Sequence, residues 1–179
     1  MKVSVYVGTS VDGFIARAND DLDWLPRGGN PSFGAFMATV DALAMGRRTF
    51  EKVLTFDTWP YGEKPVFVLS SRPLALAGPP GAFVERMTGD PPEIVSRLDA
   101  RGVRHLYVDG GITIQRFLRA GLVQHLIITR VPVLIGEGIP LFGALQRDIA
   151  LTHVETRQYE GGLVQSEYIT VPASSRLPS

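Results

Sequence analysis

The sequence predicts a single α/β domain with a mostly parallel central sheet, antiparallel C-terminal strands and helices on both faces. Three observations predict it. Over residues 42–121, short apolar runs alternate with segments of helical period, the mark of strand–helix units feeding a parallel sheet. After residue 123 the helical period disappears, and segments 150–159 and 162–171 face each other across Glu160-Gly161-Gly162 as a hairpin. The length of 179 residues, 45% apolar and 20% charged, suits one domain with a sizeable core. The domain is expected over residues 1–171, with 172–179, polar and Pro/Ser-rich, as a disordered tail.

Each element has its own signal. Val3 to Val7 alternates with period two and reads as a strand ending at Gly8. Asp12-Gly13 is a turn signal, and Phe14-Ile15-Ala16 reads as a short return strand. Residues 17–30 hold Asn, Asp, Gly and Pro and read as a long loop. Asn30-Pro31 starts a helix, Asn as N-cap and Pro at the first helical position. Phe33, Phe36, Met37 and Val40 then form one apolar face. Ala42 to Met45 is a buried strand ending in Gly46, and Arg47 to Leu54 is a helix with Phe50, Val53 and Leu54 inward. Val66 to Leu69 is a strand, and Ala82 to Val84 is another. Asp90 and Glu93 form a capping box for a helix carrying Ile94, Val95 and Leu98 and stopping near Gly102. His105 to Val108 is a strand, and Asp109-Gly110-Gly111 turns into a helix bearing Ile114, Phe117 and Leu118 that ends near Gly121. Val123 to Leu134 is long and apolar.

Composition excludes several function classes. Lys and Arg total 18, as do Asp and Glu, so no net charge draws the chain to nucleic acid or to an anionic membrane. The absence of cysteine removes disulfides, thiolate zinc sites and cysteine nucleophiles. His105, His125 and His153 show no metal-binding spacing, so no metal is expected. No signal peptide and no membrane-spanning run is seen, so a cytoplasmic protein is expected.

Three strand ends carry groups that suit an anion. At Asp109-Gly110-Gly111-Ile112-Thr113 two glycines precede a helix whose N-terminal N–H groups favour phosphate. A tight strand-to-helix turn without ligand would look the same. Gly46-Arg47-Arg48-Thr49 sets two guanidiniums at a helix start, where they oppose the helix dipole unless they meet an anion or point into water. Ser70-Ser71-Arg72 offers hydroxyls and a cation, or is an ordinary Ser-rich turn. In parallel sheets, ligands bind outside the carboxyl ends of the strands, and a diphosphate with an extra phosphate would use all three segments. Asp23-Trp24 and Asp41 offer carboxylates that also read as caps or solvated loop residues.

Segments 10–16, 22–25, 44–50, 108–111 and 132–142, in that order and spacing, resemble the dihydrofolate-reductase-like family over residues 1–170. The nearest branch holds the C-terminal reductase domain of bacterial riboflavin biosynthesis enzymes. The resemblance implies NADPH as cofactor. Gly46, Arg47, Arg48 and Thr49 match the segment that holds its phosphates. Ser70, Ser71 and Arg72 match that near the 2′-phosphate. Asp109, Gly110, Gly111, Ile112 and Thr113 match the diphosphate turn, and Ile15 and Ala16 the loop beside the nicotinamide. It also implies a small heterocyclic substrate, of pterin or pyrimidine type, and pairing of two copies near residues 131–142, where Val131 to Ile135 and Ile139 to Phe142 are apolar.

The catalytic set expected from the resemblance is Asp23, Asn30 and Thr129, with Asp12 and Trp24 lining the mouth of the cleft for substrate. Dihydrofolate reductases carry a carboxylate on the first long helix. The matching position here falls near Asn30, and residues 31–40 hold no Asp or Glu. Asn hydrogen-bonds a ring but does not ionise. The expectation is therefore hydride transfer to another ring, with a water or Asp23 as proton source. The alternative is a nucleotide-binding protein of the same fold without catalysis.

Overall fold

A computed structural model describes residues 1–26, 32–73 and 78–172. The expected cap at Asn30-Pro31 and the expected disordered tail beyond residue 172 lie outside the described residues.

The elements follow the chain as β1 (Lys2–Ser10), β2 (Phe14–Ala16), α1 (Phe33–Thr39), β3 (Ala42–Gly46), α2 (Arg47–Val53), β4 (Val66–Leu69), β5 (Val84–Met87), α3 (Pro91–Ala100), β6 (His105–Asp109), α4 (Gly111–Arg119), β7 (His125–Val131), β8 (Ile139–Pro140), β9 (Leu151–Tyr159) and β10 (Leu163–Thr170). Eight strands form one sheet in the order β5-β4-β3-β6-β1-β7-β10-β9. From β5 to β7 every neighbour is parallel, and β10 is antiparallel to both β7 and β9.

Strand alternation divides the core between the two faces. Val3, Val5, Ala42, Ala44, Leu106 and Val108 pack on one side against Ile94 and Leu98 of α3 and Ile114 and Phe117 of α4. Tyr6, Leu43, Met45, Tyr107 and Ile127 pack on the other against Phe36 and Met37 of α1 and Phe50 and Val53 of α2. The covered two-faced sheet is the α/β arrangement that the sequence predicts.

Several boundaries differ from expectation. β1 runs past Gly8 to Ser10, because residues 4–10 pair without interruption with β7. β5 lies at 84–87, not 82–84; it is an edge strand whose Glu85 pairs with Arg101 in solvent, so its polar residues disguise it. Leu54 is exposed, because α2 ends at Val53 and leaves Leu54 as its C-cap. The long apolar stretch after Val123 is strand only over His125–Val131. β8 escapes sequence reading altogether: two residues, one a proline, pair with β2 to make a small ribbon beside the main sheet. The capping box at Asp90 and Glu93 forms as expected.

At the far end of the sheet β9 is solvated on both faces, with Leu151 and Val154 exposed. Val11, Leu134, Phe142 and Leu145 are also exposed apolar side chains. No helix among the described residues is long and apolar enough to cross a membrane.

Candidate active site

The C-terminal ends of β4, β3 and β6 are neighbours in register: Gly46 lies opposite Leu69, and Met45 opposite Asp109. The three segments that sequence reading singled out therefore sit side by side on one rim. They open into a cleft of about 1500 Å³ that extends across the ends of β1 and β7. Single-ligand pockets usually span about 300–1000 Å³, so this cleft has room for a large ligand and a second molecule beside it. Ile15, Ala16, Gly46, Arg47, Arg48, Thr49, Ser70, Ser71, Arg72, Asp109, Gly110, Gly111, Ile112, Thr113 and Thr129 all line it.

Close approach of neighbouring side chains, and at Gly110 a positive φ, explain the glycines. Gly110 has φ 89° and ψ 136°, a conformation essentially reserved for glycine. A Cβ on Gly110 would overlap Thr49 Oγ1 and lie 3.2 Å from Thr49 Cβ. A Cβ on Gly46 would come 3.1 Å from Thr113 Oγ1, and one on Gly111 3.0 Å from Ile15 Cδ1. So the start of α4, the start of α2 and β2 converge, and the side chains of Thr49, Thr113 and Ile15 fill the space in front of the glycines. Thr113, although on the lining, is 6% exposed, whereas Ile112 is 66% exposed at the rim.

The cations differ in availability. Arg47 bonds Glu51 at 3.0 Å, and Arg48 pairs with Asp20 from the loop after β2. Both pairs are exposed and therefore weak enough for an anion to replace. Arg72 closes a serine turn through its backbone: its N–H donates to Ser70 Oγ at 3.2 Å, and Ser70 Oγ donates to its carbonyl at 3.0 Å. Its guanidinium has no hydrogen-bond or ion-pair partner among the described residues. Asp109 turns inward. Its Oδ1 accepts from the Gly110 N–H at 2.7 Å and Oδ2 from the Tyr61 hydroxyl at 3.3 Å. Burial raises the Asp109 pKa, and burial holds the Tyr61 and Tyr107 phenols well above their ordinary range.

Beyond these residues, on β1 and β7, the cleft becomes aromatic and hydroxylic. Tyr6, Phe33, Tyr107, Thr129 and Leu163 line this part. Behind it the buried Gln165 amide gathers hydroxyls: Nε2 donates to Thr129 Oγ1 at 2.9 Å and to Tyr6 Oη at 3.3 Å, while Oε1 accepts from Ser32 Oγ at 3.0 Å and Tyr159 Oη at 3.3 Å. Sequence reading missed Tyr6 and Gln165.

The expected substrate and acid residues divide differently. Asn30 lies outside the described residues. Asp12 is not among the lining residues; its carboxylate accepts from the Gly136 N–H at 2.8 Å and the Ile135 N–H at 3.2 Å, tying the loop after β7 to the end of β1. Asp23 also stands off the lining, bonded to Arg17 at 2.6 Å, which holds its carboxyl below the usual range. Trp24 is off the lining between Leu22 and Leu25, which are on it. Its indole Nε1 is buried without a hydrogen-bond partner among the described residues. No group of three His, Asp or Glu among the described residues is placed to hold a metal ion.

The elements and their order define a dihydrofolate-reductase-like fold, with a wide cleft across the strand ends of a mixed sheet. The chain belongs to the RibD C-terminal domain family, which matches residues 1–165. It is similar to the uncharacterized protein YwjB of Bacillus subtilis (strain 168), 30% identical over 174 residues that cover 94% of this chain and 97% of that protein. Among solved structures it resembles a Shewanella sp. PV-4 protein named for riboflavin biosynthesis, with TM-score 0.84 and 38% identity over 96% of this chain and 100% of that one. It shares its fold with dihydrofolate reductase of Enterococcus faecalis, solved with NADP(H), at TM-score 0.63 and 18% identity, covering 94% and 96% of the two chains.

Proposed function

We propose that this protein is an NADPH-dependent reductase that passes hydride to a pterin-, pyrimidine- or related small-ring substrate. The observation that carries the proposal is the contiguity of β4, β3 and β6, whose ends bring Ser70 to Arg72, Gly46 to Thr49 and Asp109 to Thr113 to one cleft. Membership of the RibD C-terminal domain family and the shared fold with an NADP(H)-binding reductase support it.

The residues present fit the cofactor. Glycines at 46, 110 and 111 line the cleft, and the first N–H groups of a helix such as α4 lack partners within it. The diphosphate is assigned to that turn, with Arg47 and Arg48 exchanging their present partners for it. The 2′-phosphate is assigned to Ser70, Ser71 and Arg72. Ile15 and Ala16, held by the β2–β8 ribbon, bound the nicotinamide. When bound, NADPH supplies the hydride; the chain supplies alignment and exclusion of water. Asp23 makes a poor acid while Arg17 stabilises its ionised form, so water is assigned as the proton source.

The protein is further proposed to be a cytoplasmic homodimer. Exposed Leu134, Phe142 and Leu145 supply an apolar face near the segment expected to pair. A monomer mass by light scattering at micromolar concentration would contradict the dimer.

Thermal shift with NADPH and NADH tests the cofactor assignment. A ligand at about 100 times its Kd stabilises by about 2.7 kcal/mol. NADPH is expected to act at lower concentration than NADH. Arg72→Ala is expected to weaken NADPH about tenfold and leave NADH unchanged, since a charge-assisted contact to phosphate is lost. No response to either nucleotide refutes the reductase. Binding without turnover of any pteridine or pyrimidine points instead to a non-catalytic nucleotide binder.

A further inference from the structure

Among the described residues, the hydroxyl cluster behind the cleft has no carboxylate in it. The described carboxylates on the lining are Asp20, paired with Arg48, and Asp109, held by Gly110 and Tyr61. Neither belongs to the group formed by Tyr6, Ser32, Thr129, Tyr159 and Gln165. A ring bound against that group meets neutral donors and acceptors.

Strand register puts the cluster in place. Gly8 pairs with Thr129, and Tyr6 with Ile127, so Tyr6 and Thr129 project from the same face of adjacent strands. Gln165 pairs directly with Thr129 from the other side. The Tyr6 ring stacks on Phe36 at 4.9 Å between centroids and meets Phe33 at 5.3 Å, which fixes the phenol. Its Oη is 2.8 Å from Ser32 Oγ and 3.3 Å from Gln165 Nε2.

Proton counting shows what this leaves. The amide of Gln165 uses both N–H donors and both acceptor positions within the cluster. It is saturated and serves as a fixed anchor. A phenol hydroxyl has one donor and two acceptor positions. Tyr6 uses two of the three, which leaves one for a molecule in the cleft. Burial raises the Tyr6 pKa, so the group stays a neutral hydroxyl at neutral pH.

We infer that Tyr6 touches the substrate and that Gln165 is its positioning residue, so that the cleft selects rings presenting an uncharged lactam edge over rings presenting a basic amidine edge. An amidine edge binds best when protonated against a carboxylate, and the cluster has none. This inference rests on the proposed reductase reading, because it assigns the ring to the space beside the nicotinamide.

The test uses two probes that differ at that edge: pterin, with its lactam, and 2,4-diaminopteridine, with an amidine. Binding is followed at pH 7 and pH 6 by quenching of each ring's own fluorescence, with NADP⁺ present. The wild type is expected to bind pterin more tightly at both pH values. Tyr6→Phe, which keeps the stacked ring, should weaken pterin five- to tenfold, about one lost hydrogen bond, and leave the NADPH thermal shift unchanged. Gln165→Glu, isosteric with the native amide, should reverse the preference and make diaminopteridine binding tighten at pH 6. Circular dichroism establishes that each variant is folded.

Tighter binding of the diamino ring by the wild type overturns the inference. So does a folded Tyr6→Phe within twofold of wild type, or a folded Gln165→Glu with unchanged preference. Failure of both rings to bind while NADPH still stabilises also overturns it but spares the cofactor assignment. Loss of any NADPH response overturns the reductase reading itself.

Discussion

Replacing Gly110 by alanine probes the point where three segments meet. Two costs can be separated. Gly110 has φ 89° and ψ 136°, and a non-glycine residue held in such a region costs about 1–3 kcal/mol. The new methyl also overlaps Thr49 Oγ1 and stands 3.2 Å from Thr49 Cβ, so Thr49 or the α4 start must move. Forcing an extra methyl into a packed site costs about another 1–3 kcal/mol. The sum is about 2–6 kcal/mol, and at about 2–4 °C per kcal/mol for a domain of this size the Tm should fall by about 4–24 °C. Urea denaturation gives the free energy directly. Adding Thr49→Ala removes the overlapping oxygen but not the backbone strain. The double variant should therefore regain about 1–3 kcal/mol over Gly110→Ala, a coupling visible in a double-mutant cycle. A Gly110→Ala protein destabilised by less than about 1 kcal/mol, or no coupling to Thr49, would refute the claim that the α4 turn is closed by contact with α2.

Other outcomes follow from the core and from buried histidines. His105 and His125 share Ser4 Oγ at 2.7 and 3.3 Å near the starts of β6, β7 and β1, and burial lowers both pKa values. Glu167, 2.6 Å from His125 Nε2, pulls the other way without outweighing burial. The unfolded chain thus takes up protons near pH 6.5 that the folded chain does not, and stability falls as pH drops from about 6.5 towards 5, by at most about 1.4 kcal/mol per pH unit for each histidine. Urea midpoints at pH 7 and 5.5 check this, and a midpoint that rises on acidification would show the opposite sign. Phe117→Ala, which empties a fully buried position between α4 and the sheet, should cost about 3–5 kcal/mol by urea denaturation. Asp12→Ala should loosen the tether to Gly136 and Ile135, seen as faster amide hydrogen exchange at those residues.

How far the site was legible in the chain depended on how locally each residue is marked. The phosphate-side groups announce themselves because glycine, arginine and serine stand at strand ends where local rules apply, and the sheet order then sets those ends side by side. Gln165 carries no such mark. A glutamine in a strand reads as a solvent-facing residue, and its partners Ser32, Tyr6 and Thr129 are 133, 159 and 36 residues away. Asp12 and Asp23 illustrate the converse. A loop carboxylate takes whichever donor is nearest, here backbone N–H groups of residues 135–136 and the Arg17 guanidinium, and neither choice is written in spacing. The fold itself was readable wherever apolar period and capping agreed, as in α3 and α4. It was not readable at β5 and β8, where charge or proline interrupts a short strand held by its neighbours.

The position of β1 between β6 and β7 has a consequence for synthesis on the ribosome. Residues 11–104 must be translated before the first flanking partner exists. At about 5–20 residues per second that interval lasts about 5–20 s. Through it Val3, Val5 and Val7 belong to an apolar strand with both edges open, and completion of the cleft waits for β7 and β10, translated long after it.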